Sequence, residues 1–469
     1  MRHQFELKGK RVLILGLGQY PKGSGISAAV FAARAGAHVM VTDKKTEQAL
    51  GANVKRLRRF KSVRFHFGGH RLADVRWADL IIRHQRVREA SPDLRLARRL
   101  GKRIESAESL FFQLCPCPII GVTGTRGKST TTTLVYEMLQ ASGRRAWLGG
   151  NILISPLSFL SRVQAGDIVV LELSSFQLET LGAAGLSPQI ACITNLLRDH
   201  LNAYAGMEEY AEAKAQIFRH QLPDNVLVLN GDDAFCRLML PTASGAVRLF
   251  SKRKTAQSDA WLTPETLWFK RDGGGAALRL KSTELKIIPR GEHLYLNMLA
   301  AALTARAAGA TWWAIKTALK TFRGLPHRQE IVAIKRGVTY VNDTTATTPD
   351  GTIAALRTFG TTRARVHLIL GGADKNLDFT SLASELNTIN VEVVILPGTA
   401  RAGLTKSLRW AQVAYRTVTD LKAALAYFRS RIKVGDVVLL SPACASFGQF
   451  KNEFERGEKF RNLVVKRGA

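Results

Sequence analysis

The densest chemistry lies in the run Ile119-Ile120-Gly121-Val122-Thr123-Gly124-Thr125-Arg126-Gly127-Lys128-Ser129-Thr130. An apolar stretch runs into glycines, then into Lys-Ser and a threonine-rich continuation. That order predicts a buried strand, a tight loop and the first turn of a helix. Backbone N–H groups of such a loop curl round phosphate oxygens, and the helix N-terminus adds positive potential. Lys128 is placed to reach the terminal phosphates of a nucleoside triphosphate, and the Ser129 hydroxyl to ligate Mg²⁺. The general phosphate-loop pattern sets four residues between its first glycine and Gly-Lys. Here Gly121 has five before Gly127, and Gly124 has two. A purely structural Gly-rich turn is the competing reading, and Gly-Lys-Ser directly after an apolar strand weakens it.

Other candidates stand at the ends of further apolar runs. Asp167 to Leu173 reads as a strand that breaks off at Glu172-Leu173-Ser174-Ser175. A carboxylate there, on the same sheet edge as a phosphate loop, suits a Mg²⁺ ligand; a solvated strand-end charge is the alternative. Ile190 to Asn195 reads as the next strand, and the loop after it carries Asp199-His200, which makes His200 a ligand candidate. Lys214 lies in a helix predicted over 210–218 and, taken alone, is an ordinary helical lysine. Near the start, Lys10 to Gly18 reads as a strand entering the turn Gly16-x-Gly18. An Ala-rich helix over 26–35 follows, then a strand over 38–42 closed by Asp43. That βαβ unit favours a nucleotide or nucleotide-sugar site over a structural turn, although the third glycine of a dinucleotide fingerprint is displaced.

These residues need several α/β layers to position them. At 469 residues the chain is expected to form about three domains. Strands are predicted over 78–82, 226–229, 338–343, 366–370, 392–396 and 436–440. Helices are predicted over 91–100, from about 297 to 308 and from about 349. Residues 245–290, with Gly273-Gly274-Gly275, suggest hairpins. Helices alternating with apolar strands imply parallel sheets. The first apolar run is short and bracketed by Lys8, Lys10 and Arg11, so no secretion signal is expected, and no apolar stretch is long enough to span a membrane. The five scattered cysteines suit a reduced, cytoplasmic setting, and Cys115-Pro-Cys117 lacks the second half a zinc site needs. The formal charge is +31, about half of it in roughly the first hundred residues. The clusters lack interleaved aromatics and any nucleic-acid motif, which favours attraction to anionic substrates or an anionic membrane surface, together with a compositional surface bias, over nucleic-acid binding.

Taken together, the stretches resemble the Mur ligase family over essentially the whole chain. They are Gly124 to Thr130, Gly149-Gly150-Asn151-Ile152, Leu171 to Leu178, Asp199-His200-Leu201, Ala213-Lys214, Leu325-Pro326-His327-Arg328, Asn342-Asp343 and Leu440 to Asn452. The resemblance implies three α/β domains. Residues 1–107 would be a Rossmann-like domain binding a UDP-sugar. Residues 108–324 would be a central ATPase-type domain with a parallel sheet and phosphate loop. Residues 325–469 would be a Rossmann-like domain binding an amino acid. It implies ATP-dependent amide formation through an acyl phosphate, here joining D-glutamate to UDP-N-acetylmuramoyl-L-alanine for peptidoglycan precursors. It assigns ATP to Gly124, Thr125, Arg126, Gly127, Lys128, Ser129, Thr130, Asn297, Arg328 and Asp343. One Mg²⁺ would fall to Ser129 and Glu172, and a second to His200 and a carbamylated Lys214; Lys128, His200 and Lys214 would be catalytic. Gly18, Ser24, Asp43 and Asn151 would hold the nucleotide sugar, and Thr347, Lys375 and Ser446 the incoming glutamate. A cytoplasmic monomer that binds no nucleic acid is expected.

The chain departs from the pattern in five places. Thr345 stands where a lysine is common, Leu294 where an asparagine is, Asn376 where a glycine is, and Glu453 where an aromatic is. Ile82-Arg83-His84-Gln85-Arg86-Val87 replaces a Ser-Pro-Gly turn that touches the UDP part. The cationic and polar side chains in that loop suggest diphosphate binding by another geometry. Two rivals therefore stand beside the leading reading. One is a related ligase for L-glutamate or another amino acid; the other is a basic binding protein that keeps the fold without turnover.

Overall fold

The computed structural model describes residues 6–152, 154–198, 203–264, 266–271, 277–286, 291–360, 365–374, 377–446 and 448–465. Among them the chain forms three sheets with helices between the strands, an α/β architecture. It divides into two compact units, the first holding Met1–Leu285 and Glu292–Phe322, the second Lys286–Gly291 and Arg323–Ala469. Residue 107 falls inside the first unit, between its two sheets.

The first sheet contains β1 (Arg11–Leu15), β2 (His38–Asp43), β3 (Val63–Phe67), β4 (Leu80–Arg83) and β5 (Arg103–Ser106). All pairs are parallel, in the order β3-β2-β1-β4-β5. The chain moves outward from β1 to β3, then crosses back to β4. The loops after β1 and β4 therefore leave the carboxyl ends of adjacent strands at the point where the strand order reverses.

The second sheet holds β6 (Ile119–Thr123), β7 (Ala146–Gly150), β8 (Ile168–Glu172), β9 (Ile190–Ile193), β10 (Val226–Asn230), β11 (Ala246–Ser251), β12 (Ala260–Thr263), β13 (Thr266–Phe269) and β14 (Leu278–Lys281). Its order is β14-β13-β12-β11-β10-β9-β6-β8-β7, which puts β6 between β8 and β9. Every residue of β6 and β8 is buried. Both faces are covered, and the strands accordingly read as continuous apolar runs. Hairpins occur at β12–β13 and β13–β14. Residues 246–251 differ from the hairpin expectation: β11 lies parallel to β10, reached through the helix Ala234–Met239. Alternation marks a half-buried strand but does not encode its direction. The triple glycine lies outside the described residues.

The Ala-rich helix Glu292–Ala307 packs on the helix Lys128–Ala141 that follows the phosphate loop. Ala300, Ala301, Ala302 and Ala305 are fully buried there. Side chains this small let two helices lie close without loss of helix propensity.

The third sheet comprises β15 (Glu330–Lys335), β16 (Val338–Asn342), β17 (Val366–Leu370), β18 (Val391–Ile395), β19 (Tyr415–Thr417) and β20 (Val437–Leu440). Its order is β15-β16-β20-β17-β18-β19, with β15 antiparallel and the rest parallel. The last strand thus inserts between β16 and β17, and the loops after these three strands emerge side by side. Under them, fully buried His367 faces Glu392 with Nδ1 at 2.9 Å and Asp436 with Nε2 at 3.0 Å. Removing the ring would take a partner from each of two largely buried carboxylates, leaving Glu392 with Arg431 and Asp436 with the N–H groups of Arg365 and Lys433. His367→Leu is therefore expected to cost roughly 3 kcal/mol of stability. Urea unfolding of the full chain measures it, and a loss below about 1 kcal/mol would count against this arrangement.

Candidate functional site

The phosphate loop leaves β6 at the carboxyl edge of the second sheet. Gly124 has φ 138° and Gly127 φ 81°, both in the region glycine favours. Space also requires glycine at each. A Cβ on Gly124 would lie 1.9 Å from Thr194 Oγ1, and one on Gly127 would lie 2.0 Å from Asn297 Oδ1. Two neighbouring elements thus press on the loop, the segment after β9 and the helix Glu292–Ala307. Asn195 Oδ1 accepts the Arg126 N–H at 2.9 Å, Asn195 O accepts the Thr125 N–H, and Thr194 Oγ1 donates to Arg126 O at 2.6 Å. Lys128 Nζ donates to the carbonyls of Gly124 and Thr125, each at 3.0 Å. The ammonium thus folds over the mouth of the loop. Ser129 and Thr130 occupy the first turn of the half-buried helix start.

Two further side chains converge on this edge. Glu172 ends β8, whose register pairs it with Val122 of β6. It is almost fully buried, and Oε1 accepts from Asn151 Nδ2 at 2.9 Å. Its Oε2 is buried without a hydrogen-bond partner. A buried carboxylate oxygen in that state carries a desolvation cost that a cation would offset. The turn beyond β8 is set by a reciprocal cap: Ser174 Oγ accepts the Gln177 N–H, and Gln177 Oε1 accepts the Ser174 N–H. Lys214 projects from the helix Met207–Ala215 and is 2% exposed. Its Nζ donates to Thr123 Oγ1 at 3.4 Å and lies 4.8 Å from the centre of the Tyr210 ring. Lys214 therefore ends at the last residue of β6, where an ordinary helical lysine would be solvated. The Thr123–Leu173 hydrogen bond, at 2.7 Å, ties the same strand end to β8. His200 lies outside the described residues.

In the first sheet, the glycine turn after β1 closes on Asp43. Asp43 Oδ2 accepts the N–H groups of Leu17 at 2.9 Å and Gly18 at 3.1 Å. The displaced third glycine is Gly25, where a Cβ would overlap Gly16 O at 2.3 Å and Leu17 O at 2.4 Å. It lets the helix Ser24–Arg34 close on the turn, with Ser24 as its half-buried first residue. The loop after β4, suggested for diphosphate binding, presents its basic side chains unequally. Arg83 is 5% exposed and pairs with Glu89. His84 packs its ring on Gly16 and Gly18, and burial lowers its pKa to about 4, so the ring is neutral near pH 7. Of the three side chains, Arg86 is the exposed cation.

A family model described as the Mur ligase middle domain matches residues 122–305, and one described as the Mur ligase, glutamate ligase domain matches residues 327–444. A UDP-N-acetylmuramoylalanine–D-glutamate ligase from a Roseiflexus species is 42% identical, covering 98% of this chain and 99% of that protein. The chain belongs to the Mur ligase family. Its fold is shared by the Thermotoga maritima UDP-N-acetylmuramate–alanine ligase MurC, at TM-score 0.60 and 19% identity over 98% of this chain and 100% of that one. It is also shared by the Thermotoga maritima MurF ligase solved with ADP, at TM-score 0.58 and 18% identity over 99% and 100%.

In the second unit of this Mur ligase, the loops after β16, β17 and β20 hold the remaining candidates except Arg328, which precedes β15. Asp343 is 3% exposed; Oδ2 accepts from Ser441 Oγ at 2.8 Å and Oδ1 from the Gln329 N–H at 3.1 Å. Arg328 is exposed and Thr347 half-buried. Ser446 is 2% exposed, and its Oγ is buried without a hydrogen-bond partner. Lys375 lies outside the described residues. Asn195, Tyr210 and Arg456 were not singled out from the sequence. For Asn195 a signal existed: it is a polar residue just beyond a buried strand on the phosphate-loop edge.

Burial raises the Asp343 carboxyl to about 7, against the hydrogen bonds from Ser441 and Gln329. A carboxyl with a folded-state pKa above its unfolded value binds its proton more tightly in the native state. Its contribution to stability is therefore lost as pH rises from the unfolded range, near 3.8, through about 7. Asp343→Asn is expected to flatten that part of the stability–pH curve. Melting temperatures of both proteins between about pH 4 and pH 8 measure it, and parallel curves would exclude the titration.

Proposed function

We propose that the chain is a cytoplasmic, monomeric ATP-dependent ligase that joins D-glutamate to UDP-N-acetylmuramoyl-L-alanine in peptidoglycan precursor synthesis. The observation that carries the reading is the convergence at the end of β6: the glycine-bounded phosphate loop, the unpartnered oxygen of Glu172 and the buried Nζ of Lys214 meet on one sheet edge. The kinship to UDP-N-acetylmuramoylalanine–D-glutamate ligases names the substrates.

In the proposed reaction, a substrate carboxylate oxygen bonds to the γ-phosphorus of ATP, the bond to the β-phosphate oxygen breaks, and ADP leaves. The glutamate nitrogen then bonds to the acyl carbon, the acyl–phosphate C–O bond breaks, and the nitrogen sheds a proton. Phosphoryl transfer of this kind needs positioning and charge neutralisation above all. The loop amides of Gly124 to Thr130 would cradle the phosphates, and Lys128 would exchange its two carbonyl acceptors for phosphate oxygens. Asn297, against Gly127, would line the nucleotide side. Bound Mg²⁺ would neutralise charge on the transferring phosphoryl group. Ser129 and Glu172 have the donor chemistry to hold one such ion. His200 and Lys214 would hold a second, with Lys214 carbamylated so that its end becomes an anionic oxygen donor. Gly18, Ser24, Asp43 and Asn151 would place the nucleotide sugar, Thr347, Lys375 and Ser446 the glutamate, and Arg328 and Asp343 are proposed for ATP.

Phosphate release from ATP should require both the nucleotide-sugar substrate and D-glutamate. A screen over amino acids, including both glutamate enantiomers, checks it. Release with L-glutamate alone would sink the stereochemical claim, and background rates with every pair would favour the non-catalytic binding protein. Lys214→Ala is expected to lose at least about 100-fold in kcat and to regain part of it when short carboxylic acids are added. Absence of that recovery at unchanged folding would argue against the carbamate role.

A further inference from the structure

Arg456 stands near the start of the helix Glu453–Val465 and has no solvent exposure. Its guanidinium offers five N–H donors, and each has an acceptor. Nε donates to Thr344 Oγ1 at 3.0 Å, and one terminal nitrogen donates to Thr344 O at 3.0 Å and Cys444 O at 3.2 Å. The other terminal nitrogen donates to Gly371 O and Ala445 O, each at 3.4 Å. Thr344 follows β16, Gly371 follows β17, and Cys444 and Ala445 follow β20. One side chain therefore ties together the three loops that leave the three adjacent central strands.

The arrangement is held from both sides. The Ala373 N–H donates to Ala445 O and the Ala445 N–H to Ala373 O, so the loops after β17 and β20 form a bridge beside the guanidinium. Thr344 Oγ1 donates onward to Glu453 O at 2.8 Å. Ala443 adopts φ 57°, a left-handed conformation that alanine rarely takes without surrounding support. The next residue, Gly457, must lack a Cβ, because one would lie 2.4 Å from His327 Nδ1 and 2.6 Å from Thr344 Cγ2. The helix can then approach closely enough for Arg456 to reach all three loops.

The charge itself is unusual. Its acceptors are carbonyls and a hydroxyl, and no carboxylate forms an ion pair with it among the described residues. Burial lowers the guanidinium to about 10. Cys444 and Glu453 act on it electrostatically without a direct ion pair, and a buried cation held in this way gains further from an anion binding nearby. Ser446, whose buried Oγ is also unpartnered, immediately follows Ala445.

We propose that Arg456 is the positioning residue of the amino-acid subsite, fixing the loops after β16, β17 and β20 in mutual register and supplying positive potential for the dicarboxylate. The inference rests on the glutamate reading given under Proposed function. Arg456 touches no substrate in this role; it acts through Thr344, Gly371 and the Cys444–Ala445 backbone. Lysine keeps the charge but presents three donors from a single nitrogen, fewer than the five hydrogen bonds made here and without the planar fork that spans the three loops.

The test is steady-state phosphate release by the full chain, varying D-glutamate, ATP and the nucleotide sugar in turn. Arg456→Lys should raise KM for D-glutamate at least about tenfold while KM for ATP and the nucleotide sugar stay within about twofold. Arg456→Ala should regain activity when millimolar guanidinium is added. Thr344→Val, a milder change that removes the Nε acceptor, should shift the same KM in the same direction. Equal shifts in all three KM values, or a lowered melting temperature with unchanged KM for D-glutamate, would overturn the role. Wild-type turnover separates the two claims. Its absence with D-glutamate overturns the glutamate reading and this inference together, whereas normal wild-type turnover with uniform shifts overturns the role of Arg456 alone.

Discussion

The structure of the first unit depends on how closely its neighbours approach the backbone after β6. Thr194 and Asn297 occupy the space where Cβ atoms of Gly124 and Gly127 would be. A loop whose N–H groups are to face phosphate oxygens must have its carbonyls and remaining amides satisfied elsewhere, and Asn195 and Thr194 do this for Thr125 and Arg126. The irregular glycine spacing follows from the same constraint. Each glycine stands where a particular neighbour touches the loop, and those neighbours belong to β9's extension and to a helix more than 150 residues further on in the chain.

The same logic recurs in each sheet. Residues with chemistry stand at carboxyl ends of parallel strands, at points where the order of the chain reverses. In the first sheet the reversal lies between β1 and β4, with the glycine turn facing His84. In the second, β6 lies between β8 and β9, bringing Glu172 and Thr194 to either side of the phosphate loop. In the third, insertion of β20 between β16 and β17 aligns three loops that Arg456 then connects. The two units thus share one device: an otherwise plain parallel sheet is given a site by the order of its strands.

Much of this was legible beforehand where periodicity carried it. β1, β2, β4, β8, β9, β10, β16, β17, β18 and β20 are apolar runs ended by glycine or a polar residue, and buried parallel strands must read that way. The phosphate loop and Glu172 were legible because a strand end followed by Gly-Lys-Ser, or by a lone carboxylate, leaves few local alternatives. Residues 246–251 were misread because a half-buried strand looks the same whether its partner runs with it or against it. In the loop over 82–87 the sequence left the availability of each charge open. Charge counted along the chain does not distinguish the exposed Arg86 from Arg83, which is spent on Glu89, or from His84, which burial renders neutral.

By itself, then, the sequence determined the α/β class, the strand, glycine loop and helix over 119–130, Glu172 as the carboxylate ending a neighbouring strand and membership of the Mur ligase family. All of these rest on local order or on motif succession, which the linear chain contains in full. Tertiary structure alone decided that Lys214 is a buried group ending at Thr123, that burial raises the Asp343 carboxyl, and that Arg456 gathers three loops. Each depends on what surrounds a side chain in three dimensions. A lysine on a helix, a carboxylate after a strand and an arginine in a charged C-terminal helix look like surface residues until packing removes water from them and supplies specific partners in its place.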